Sequence, residues 1–447
     1  MNYLNLLWNL YQLKQNAGKS REEIKKLQEK KLRKLLLYAY DHSQYYHRVF
    51  EEAEITREQI PVLALSSFPA LDKQQLLEHF DELVTVPDVS QEDLRRFDAE
   101  ESPDRKTFQG KYHVVHSSGS TGAPGYFVYD EEAWNQMLPG IIRAALWDMT
   151  MPEILKLLWS GPRIVYIAAT DGRYGGAMAV GDGVDGVHAH QLFLDVKTPL
   201  AEWVRQIREF QPNMVIGYPS AIKILGELVE DGKVELEVFR VVSCGEPLGA
   251  SLRSYLEETF DADVVNIYGA SESLALGVEI RHEEGMFLFD DLNYIEVEDG
   301  CMYLTCLYNF AQPLIRYRIS DQLNLREPEE KDFYPFTMAG NIMGRSEDLM
   351  WFESPQGERD FLHPLVIEGF CLEGLVDYQF RQLNPSSFEM LAELSDGRKA
   401  RRIHGEMLKQ MGRILKEKQL DYVRFSVRFV DEIRPDRGTG KKRLIVA

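Results

Sequence analysis

Four hydroxyl side chains and three glycines crowd into the run His116-Ser117-Ser118-Gly119-Ser120-Thr121-Gly122-Ala123-Pro124-Gly125. Glycine lets backbone N–H groups come close to a ligand, and hydroxyls donate to phosphate oxygens. The run is not a Walker loop, because GxxxxGK[ST] needs a lysine that is absent here. It reads either as an anion cradle or as a plain surface turn. Three more polar clusters follow short β-branched runs: Tyr218-Pro219-Ser220, Gly245-Glu246-Pro247 and Tyr268-Gly269-Ala270-Ser271-Glu272. Each alone is a loop with a helix cap. Three in register would line one cleft, since open α/β sheets bind ligands beyond the carboxyl ends of their strands. Farther on stand Arg316-Tyr317-Arg318-Ile319-Ser320-Asp321, Gly344-Arg345-Ser346-Glu347-Asp348 and Gly438-Thr439-Gly440-Lys441-Lys442-Arg443. An Arg-Tyr-Arg strand can be a surface ion-pair ladder, and a Gly/basic tail can be a solvated end.

Elements of two kinds must position these groups. Residues 1–60 read as helical, with Ser20 and Glu23 spaced as a capping box ahead of an apolar seam. From about Lys111, strands at 112–116, 126–129, 163–169, 214–218, 239–244 and 263–268 alternate with amphipathic stretches at 199–210, 219–230 and 249–260. That alternation predicts an α/β fold with mainly parallel sheets flanked by helices. Residues 285–325 are aromatic and β-branched and predict a β-rich, antiparallel or barrel-like subdomain. From about residue 346 the order strand, helix, strand, strand, helix, strand predicts a small mobile C-terminal α+β domain of ferredoxin-like type. The expected division is 1–345, a large N-terminal domain, and 346–447, a small lid.

Composition narrows the classes. Lys plus Arg is 51 and Asp plus Glu is 71, giving a net charge of −20 in 447 residues. That argues against a general nucleic-acid binder, which needs a basic face. Four cysteines without CxxC spacing point to a reducing cytoplasm and no disulfide framework. No apolar run is long enough to predict a membrane span.

The motifs, in this order, resemble those of the adenylate-forming superfamily. Within it they are similar to the phenylacetate–coenzyme A ligase family, with its capsule-biosynthesis and deazaflavin-adenylating relatives, over roughly residues 30–447. The resemblance implies that Ser117, Ser118, Gly119, Ser120, Thr121 and Gly122 hold the phosphates of ATP. Gly245, Glu246 and Pro247 would meet the adenine edge, Tyr268 would stack on adenine, and Gly269 and Ser271 would complete that motif. Asp321 and Arg345 would contact the ribose, and Glu347 and Asp348 would form a hinge. Glu272 would bind Mg²⁺, and Lys441 would bridge the substrate carboxylate and the α-phosphate. Tyr218 and Tyr166 are candidates for an aromatic wall around the acid.

The implied activity is ATP-dependent formation of an acyl adenylate from an aryl or arylalkyl carboxylic acid. The acyl group then passes to a thiol, with coenzyme A or a carrier protein's phosphopantetheine as acceptor. Adenylation with a different acceptor, and a degenerate nucleotide-binding protein, are the rival readings. Retention of Glu272 and Lys441 argues against degeneration. Two departures stand out. Ala123 and Gly125 occupy places where the family loop is basic, so pyrophosphate neutralisation is weaker or comes from elsewhere. Trp351 to Leu365 lacks the usual arginine-glycine pair and looks like the capsule-biosynthesis branch. Some relatives carry a Cys/His cluster in the region matching 240–310. Here His282, Cys301 and Cys306 lack finger spacing, and the cysteines read as small buried hydrophobes. The N-terminal helices could pack across a homodimer.

Overall fold

The computed structural model describes residues 3–99, 107–117, 124–170, 175–183, 189–280, 285–298, 300–319, 321, 323–329, 332–340, 349–367, 370, 372, 374–433 and 444–446. The chain opens with helices Tyr3–Asn16, Arg21–His42 and Gln44–Glu52. The predicted capping box forms at Ser20: its side chain accepts from the Glu23 N–H, and the Glu23 carboxylate accepts from the Ser20 N–H at 2.8 Å. Ile24, Leu32, Leu35 and Leu36 are buried from this helix, as the seam predicted. A buried ion pair ties the first helix to the body. Arg143, from helix Glu131–Ala145, grips both oxygens of Asp291 at 2.7 and 2.9 Å and donates to the Leu13 carbonyl. Asn16 donates to the same carboxylate.

An antiparallel ribbon follows, β1 (His113–His116) with β2 (Tyr126–Tyr129), and the Ser/Gly run joins its strands. Then come β3 (Arg163–Ala168), β4 (His190–Asp195), β5 (Met214–Gly217), β6 (Arg240–Cys244) and β7 (Asp263–Ala270). They form a parallel half-sheet in the order β7-β6-β5-β3-β4. Helices Leu200–Phe210, Pro219–Glu230 and Ala250–Phe260 make the crossovers that the periodicity predicted. Beyond β7 the sheet turns antiparallel. β8 (Ser273–Glu279) and β9 (Met286–Leu288) extend it on that side.

The β-rich stretch divides between two sheets. β10 (Asn293–Glu298), β11 (Cys301–Cys306) and β12 (Tyr317–Ile319) form a separate antiparallel sheet. β9, with β13 (Leu325–Arg326) and β14 (Met338–Ala339), joins the large sheet instead. The earlier segment 69–73 is stitched alongside. Leu71 accepts from the Arg318 N–H at 2.8 Å and donates to the Arg316 carbonyl at 3.1 Å, pairing with Tyr317.

The C-terminal region is α+β, as expected, but its strands assemble differently from the order that was read. β15 (Met350–Glu353) pairs with β16 (Arg359–Leu362) in a hairpin of their own. The four-stranded sheet is built from β17 (Leu375–Asn384), β18 (Ser387–Leu394), β19 (Arg424–Val430) and β20 (Ile445–Val446), ordered β19-β18-β17-β20. The turn Ser354-Pro355-Gln356-Gly357 joins β15 to β16: Gly357, at φ +84°, donates its N–H to the Ser354 carbonyl at 2.9 Å and closes a tight hairpin. Helix Ala400–Glu417 covers this sheet with Ile403, Met407, Met411 and Leu415. One hydrophobic cluster runs continuously from the parallel half-sheet into the C-terminal strands, with Trp203 edge-on to Phe361 at 5.7 Å.

Candidate active site

The stem of the Ser/Gly loop is closed by two hydrogen bonds. Ser117 N–H donates to the Gly125 carbonyl, and Gly125 N–H donates to Ser117 Oγ, both at 2.9 Å. Ser118, Gly119, Ser120, Thr121 and Gly122 lie outside the described residues, as do Arg345, Glu347, Asp348 and Lys441. The stem is fastened to the end of β7. Ser271 Oγ donates to the His116 carbonyl at 3.1 Å, and the Tyr129 hydroxyl donates to the Ser271 carbonyl at 2.8 Å. The stem of the loop therefore lies beside the Ser271–Glu272 turn.

Gly269 makes the turn out of β7 possible: a Cβ there would sit 2.5 Å from the Leu274 carbonyl oxygen. That turn holds the Glu272 carboxyl, whose pKa is pushed up to about 7. Burial is the main cause, and the nearby Asp321 charge adds to it. The Glu272 backbone N–H, the ammonium of Lys73 and a hydrogen bond with Tyr317 act the other way. Tyr268 donates its hydroxyl to Asp321 Oδ2 at 2.6 Å, so two residues of the predicted nucleotide set are joined directly. Glu272, Tyr268, Ser271, Asp321 and the base of the Ser/Gly loop thus occupy one neighbourhood at the carboxyl end of β7.

Gly245 has φ +80°, and a Cβ there would meet the Tyr218 ring at 2.6 Å. Only glycine fits both conditions. Glu246 turns its carboxylate away from open space. It accepts from Ser220 Oγ at 3.0 Å, from Ser220 N–H at 3.1 Å and from His363 Nε2 at 2.7 Å. Pro247 follows with no N–H to satisfy. Tyr218 is buried and stacks on the His363 ring at 5.3 Å. Tyr166 is also buried, with its ring edge-on to Phe193 and its hydroxyl against Gly176. It sits close to Tyr218 and Cys244.

The Arg-Tyr-Arg strand divides its roles. Arg316 is a buried tie, at φ +48°, donating to the Ser66 and Phe68 carbonyls at 2.9 Å and pairing with Glu296 and Glu298. Arg318 is exposed and donates to Cys301 Sγ. Tyr317 between them faces Glu272. Cys301 and Cys306 stand at opposite ends of β11, and Cys306 is fully buried. Among the described residues no group of three or more His, Cys, Asp or Glu side chains is placed to hold a metal.

Of two further residues at this site, the sequence offers no motif for Lys73 and only a loop-or-core reading for His363. Lys73 opens helix Lys73–Glu78, and the pairing of Leu71, two residues earlier, with Tyr317 brings its charge near enough to favour the Glu272 anion. His363 precedes a proline in a stretch that gave no motif. The only available signal for either was a polar residue beside a helix start.

Known proteins offer likenesses in sequence and fold. No family model matches the chain. It is 26% identical to the phenylacetate-coenzyme A ligase of Thermus thermophilus, over 74% of this chain and 72% of that protein. It is 25% identical to the phenylacetate-coenzyme A ligase of Aromatoleum evansii, over the same shares. A 2-hydroxyisobutyryl-CoA ligase, solved with 2-HIB-AMP and CoA in its thioesterification state, matches with a TM-score of 0.62 at 19% identity, covering 96% of this chain and 91% of that one. These likenesses bear out the resemblance and the fold read from the motifs: the chain is similar to the phenylacetate–coenzyme A ligases, whose enzyme class is the one the motifs implied, and it carries the adenylate-forming fold.

Proposed function

We propose that the enzyme activates an aryl or arylalkyl carboxylic acid with ATP and hands the acyl group to a thiol, coenzyme A first among the acceptors. In the first step a carboxylate oxygen bonds the α-phosphorus of ATP and pyrophosphate leaves. In the second, thiolate sulfur bonds the acyl carbon and AMP leaves. The observation that carries the reading is the cluster at the end of β7: Glu272 with its raised carboxyl, flanked by Lys73, Tyr317 and the Tyr268–Asp321 pair, at the stem of the Ser/Gly loop. Relatives named phenylacetate-coenzyme A ligase support the choice of acceptor.

Both reactants of the first step are anions, so positive charge and oriented donors are needed where negative charge develops. The fit of Mg²⁺ rests on Glu272. Its carboxyl holds a proton up to about pH 7 because burial and Asp321 disfavour the anion. A divalent cation there would offset both and make Glu272 an anionic ligand, with phosphate oxygens completing a shell that needs few protein carboxylates. Mg²⁺ would supply charge neutralisation of the phosphates. Lys73 adds a protein cation on the same side, where Ala123 and Gly125 supply none. Tyr268 and Asp321 hold the nucleoside, Asp321 accepting from ribose hydroxyls beside the Tyr268 hydroxyl. Arg345 assists at the ribose, and Lys441 bridges carboxylate and α-phosphate. Residues from 346 onward act as a lid turning about Glu347 and Asp348.

The test is pyrophosphate release, screened over aromatic and aliphatic acids with and without coenzyme A. Acid-dependent release followed by coenzyme A-dependent thioester supports the reading. Release without thioester points to another acceptor, and no release with any acid rejects acyl adenylation.

A further inference from the structure

Both oxygens of the Glu246 carboxylate are already occupied. Oε2 accepts from the Ser220 N–H, and Oε1 accepts from the Ser220 hydroxyl and from His363 Nε2. Because Glu246 accepts and the Ser220 hydroxyl proton is spent on it, His363 Nε2 carries the proton of the 2.7 Å bond. The His363 side chain is wholly buried, stacked on Tyr218. Tyr218 in turn packs on Gly245. Three of the carboxylate's roughly four acceptor sites are thus taken by Ser220 and His363. Its work is to fix the backbone of Gly245-Glu246-Pro247, which leaves β6 through the left-handed conformation at Gly245.

His363 reaches this place on a short strap. Three residues before it, Asp360 Oδ2 accepts from the Leu200 N–H at 2.9 Å, and Asp360 Oδ1 pairs with the buried Lys418 at 3.1 Å. Lys418 also donates to the Thr198 carbonyl at 2.6 Å and lies over the Phe361 ring at 4.1 Å. Residues 198–200 follow β4, Ser220 follows β5, and Glu246 follows β6. The strap 360–363 thus crosses the carboxyl edge of the parallel half-sheet and is pinned at both ends, so the imidazole arrives in a fixed orientation.

We propose that His363, a residue from the C-terminal region, is a positioning residue of the nucleotide site, acting through Glu246 on the Gly245–Pro247 backbone. The proposal rests on the nucleotide reading of that backbone given above. It makes nucleotide affinity depend on whether the strap is docked, since undocking would remove the donor from Glu246 and leave a half-buried carboxylate short of a partner.

The experiment is calorimetric titration of the full chain with ATP and Mg²⁺, alongside the apparent affinity for the acid in pyrophosphate release. A hydrogen bond to a charged group sets the scale. His363→Ala is expected to weaken ATP about tenfold or more and to change the acid's KM less than about twofold. His363→Gln, whose amide N–H can still donate to Glu246, is expected to recover most of the loss. Glu246→Gln, which keeps an acceptor oxygen but no charge, is expected to weaken ATP in between, and it stands in if His363→Ala does not fold. Wild-type ATP affinity in His363→Ala, or in Glu246→Gln where that stands in, overturns the proposal. So does equal loss for ATP and acid with no recovery in His363→Gln, which is what a merely structural histidine would give. A wild-type chain that binds no ATP overturns the nucleotide reading, and the His363 assignment with it.

Discussion

Replacing Glu272 by glutamine should make the folded chain relatively more stable as pH rises. The carboxyl goes from 4.5 in the ordinary state to about 7 in the fold. At about 1.36 kcal/mol for each tenfold change in acidity, that rise is worth at most about 3 kcal/mol. The sign follows from proton counting. Between pH 4.5 and about 7 the folded state keeps a proton that the unfolded chain has lost, so stability falls as pH increases through that window. The contribution of the protonated group is fully present below about 4.5 and gone once pH passes about 7. The isosteric amide carries no charge and keeps its stability throughout. Urea unfolding of both proteins at several pH values between 4.5 and 8.5 measures the difference. Other groups titrating in that range cancel between the two proteins. The variant should gain on the wild type by up to about 3 kcal/mol across the series. Saturating Mg²⁺ and ATP at alkaline pH should then restore the wild type, by about 2.7 kcal/mol at a hundredfold excess over Kd, and not the variant. A difference that is flat with pH, or that favours the wild type as pH rises, would refute a buried, charge-disfavoured Glu272.

In the pyrophosphate assay, Glu272→Gln should cut acid-dependent release by about a hundredfold or more, the scale of a lost metal contact; full activity over a Mg²⁺ titration rejects the ligand role. Lys73→Met should weaken ATP about tenfold and leave the acid's KM unchanged, because an ammonium near the phosphates serves the nucleotide alone; an unchanged ATP titration excludes it. Lys441→Ala should abolish acyl-AMP formation yet spare thioester formation from supplied acyl-AMP, while Lys442→Ala does neither; near wild-type pyrophosphate release in Lys441→Ala counts against the bridging lysine. Arg143→Met should destabilise the fold by about 3–5 kcal/mol, since it strands the buried Asp291 charge; a midpoint shift in urea within error of zero would contradict this.

Strands β3, β5, β6 and β7 of the parallel half were legible because each is a short run rich in β-branched, largely buried residues, whereas β4, His190–Asp195, has no β-branched residue and was not predicted. Helices 200–210, 219–230 and 250–260 fall within a residue of their periodic stretches. The hairpin of β15 and β16 was missed, since Arg359-Asp360-Phe361-Leu362 has neither alternation nor a β-branched residue. Its strand character comes from pairing with β15 and from the Lys418 and Leu200 contacts of Asp360, which are long-range. The same limit explains the site. Glu272, Tyr268 and Asp321 announce themselves by motif, but Lys73 is brought in by a single bridge between residues 71 and 317. Nothing local to either segment encodes that bridge. Glu246 reads as a ligand in the sequence, and its hydrogen-bond partners Ser220 and His363 were not readable with it because they lie 26 residues before it and 117 residues after it.

The placement of cations is the physical thread through these observations. On the proposed reading, a chain of net charge −20 admits a polyanion to a site that already carries Glu246, Glu272 and Asp321. Its Ser/Gly loop offers donors but no charge at Ala123 and Gly125. Neutralisation must therefore come from outside the loop, and the candidates lie far off in sequence: Lys73 on the N-terminal side and Lys441 at the other end. Glu246 has been supplied locally with donors by Ser220 and His363, which lowers the cost of keeping a carboxylate at that edge. At Glu272 the raised carboxyl is the measure of what remains for a bound cation to offset. A site assembled in this way is complete only when the N-terminal segment, the sheet edge and the C-terminal strap are all docked. That makes the order of docking, rather than the loop alone, the natural place to look for control of the reaction.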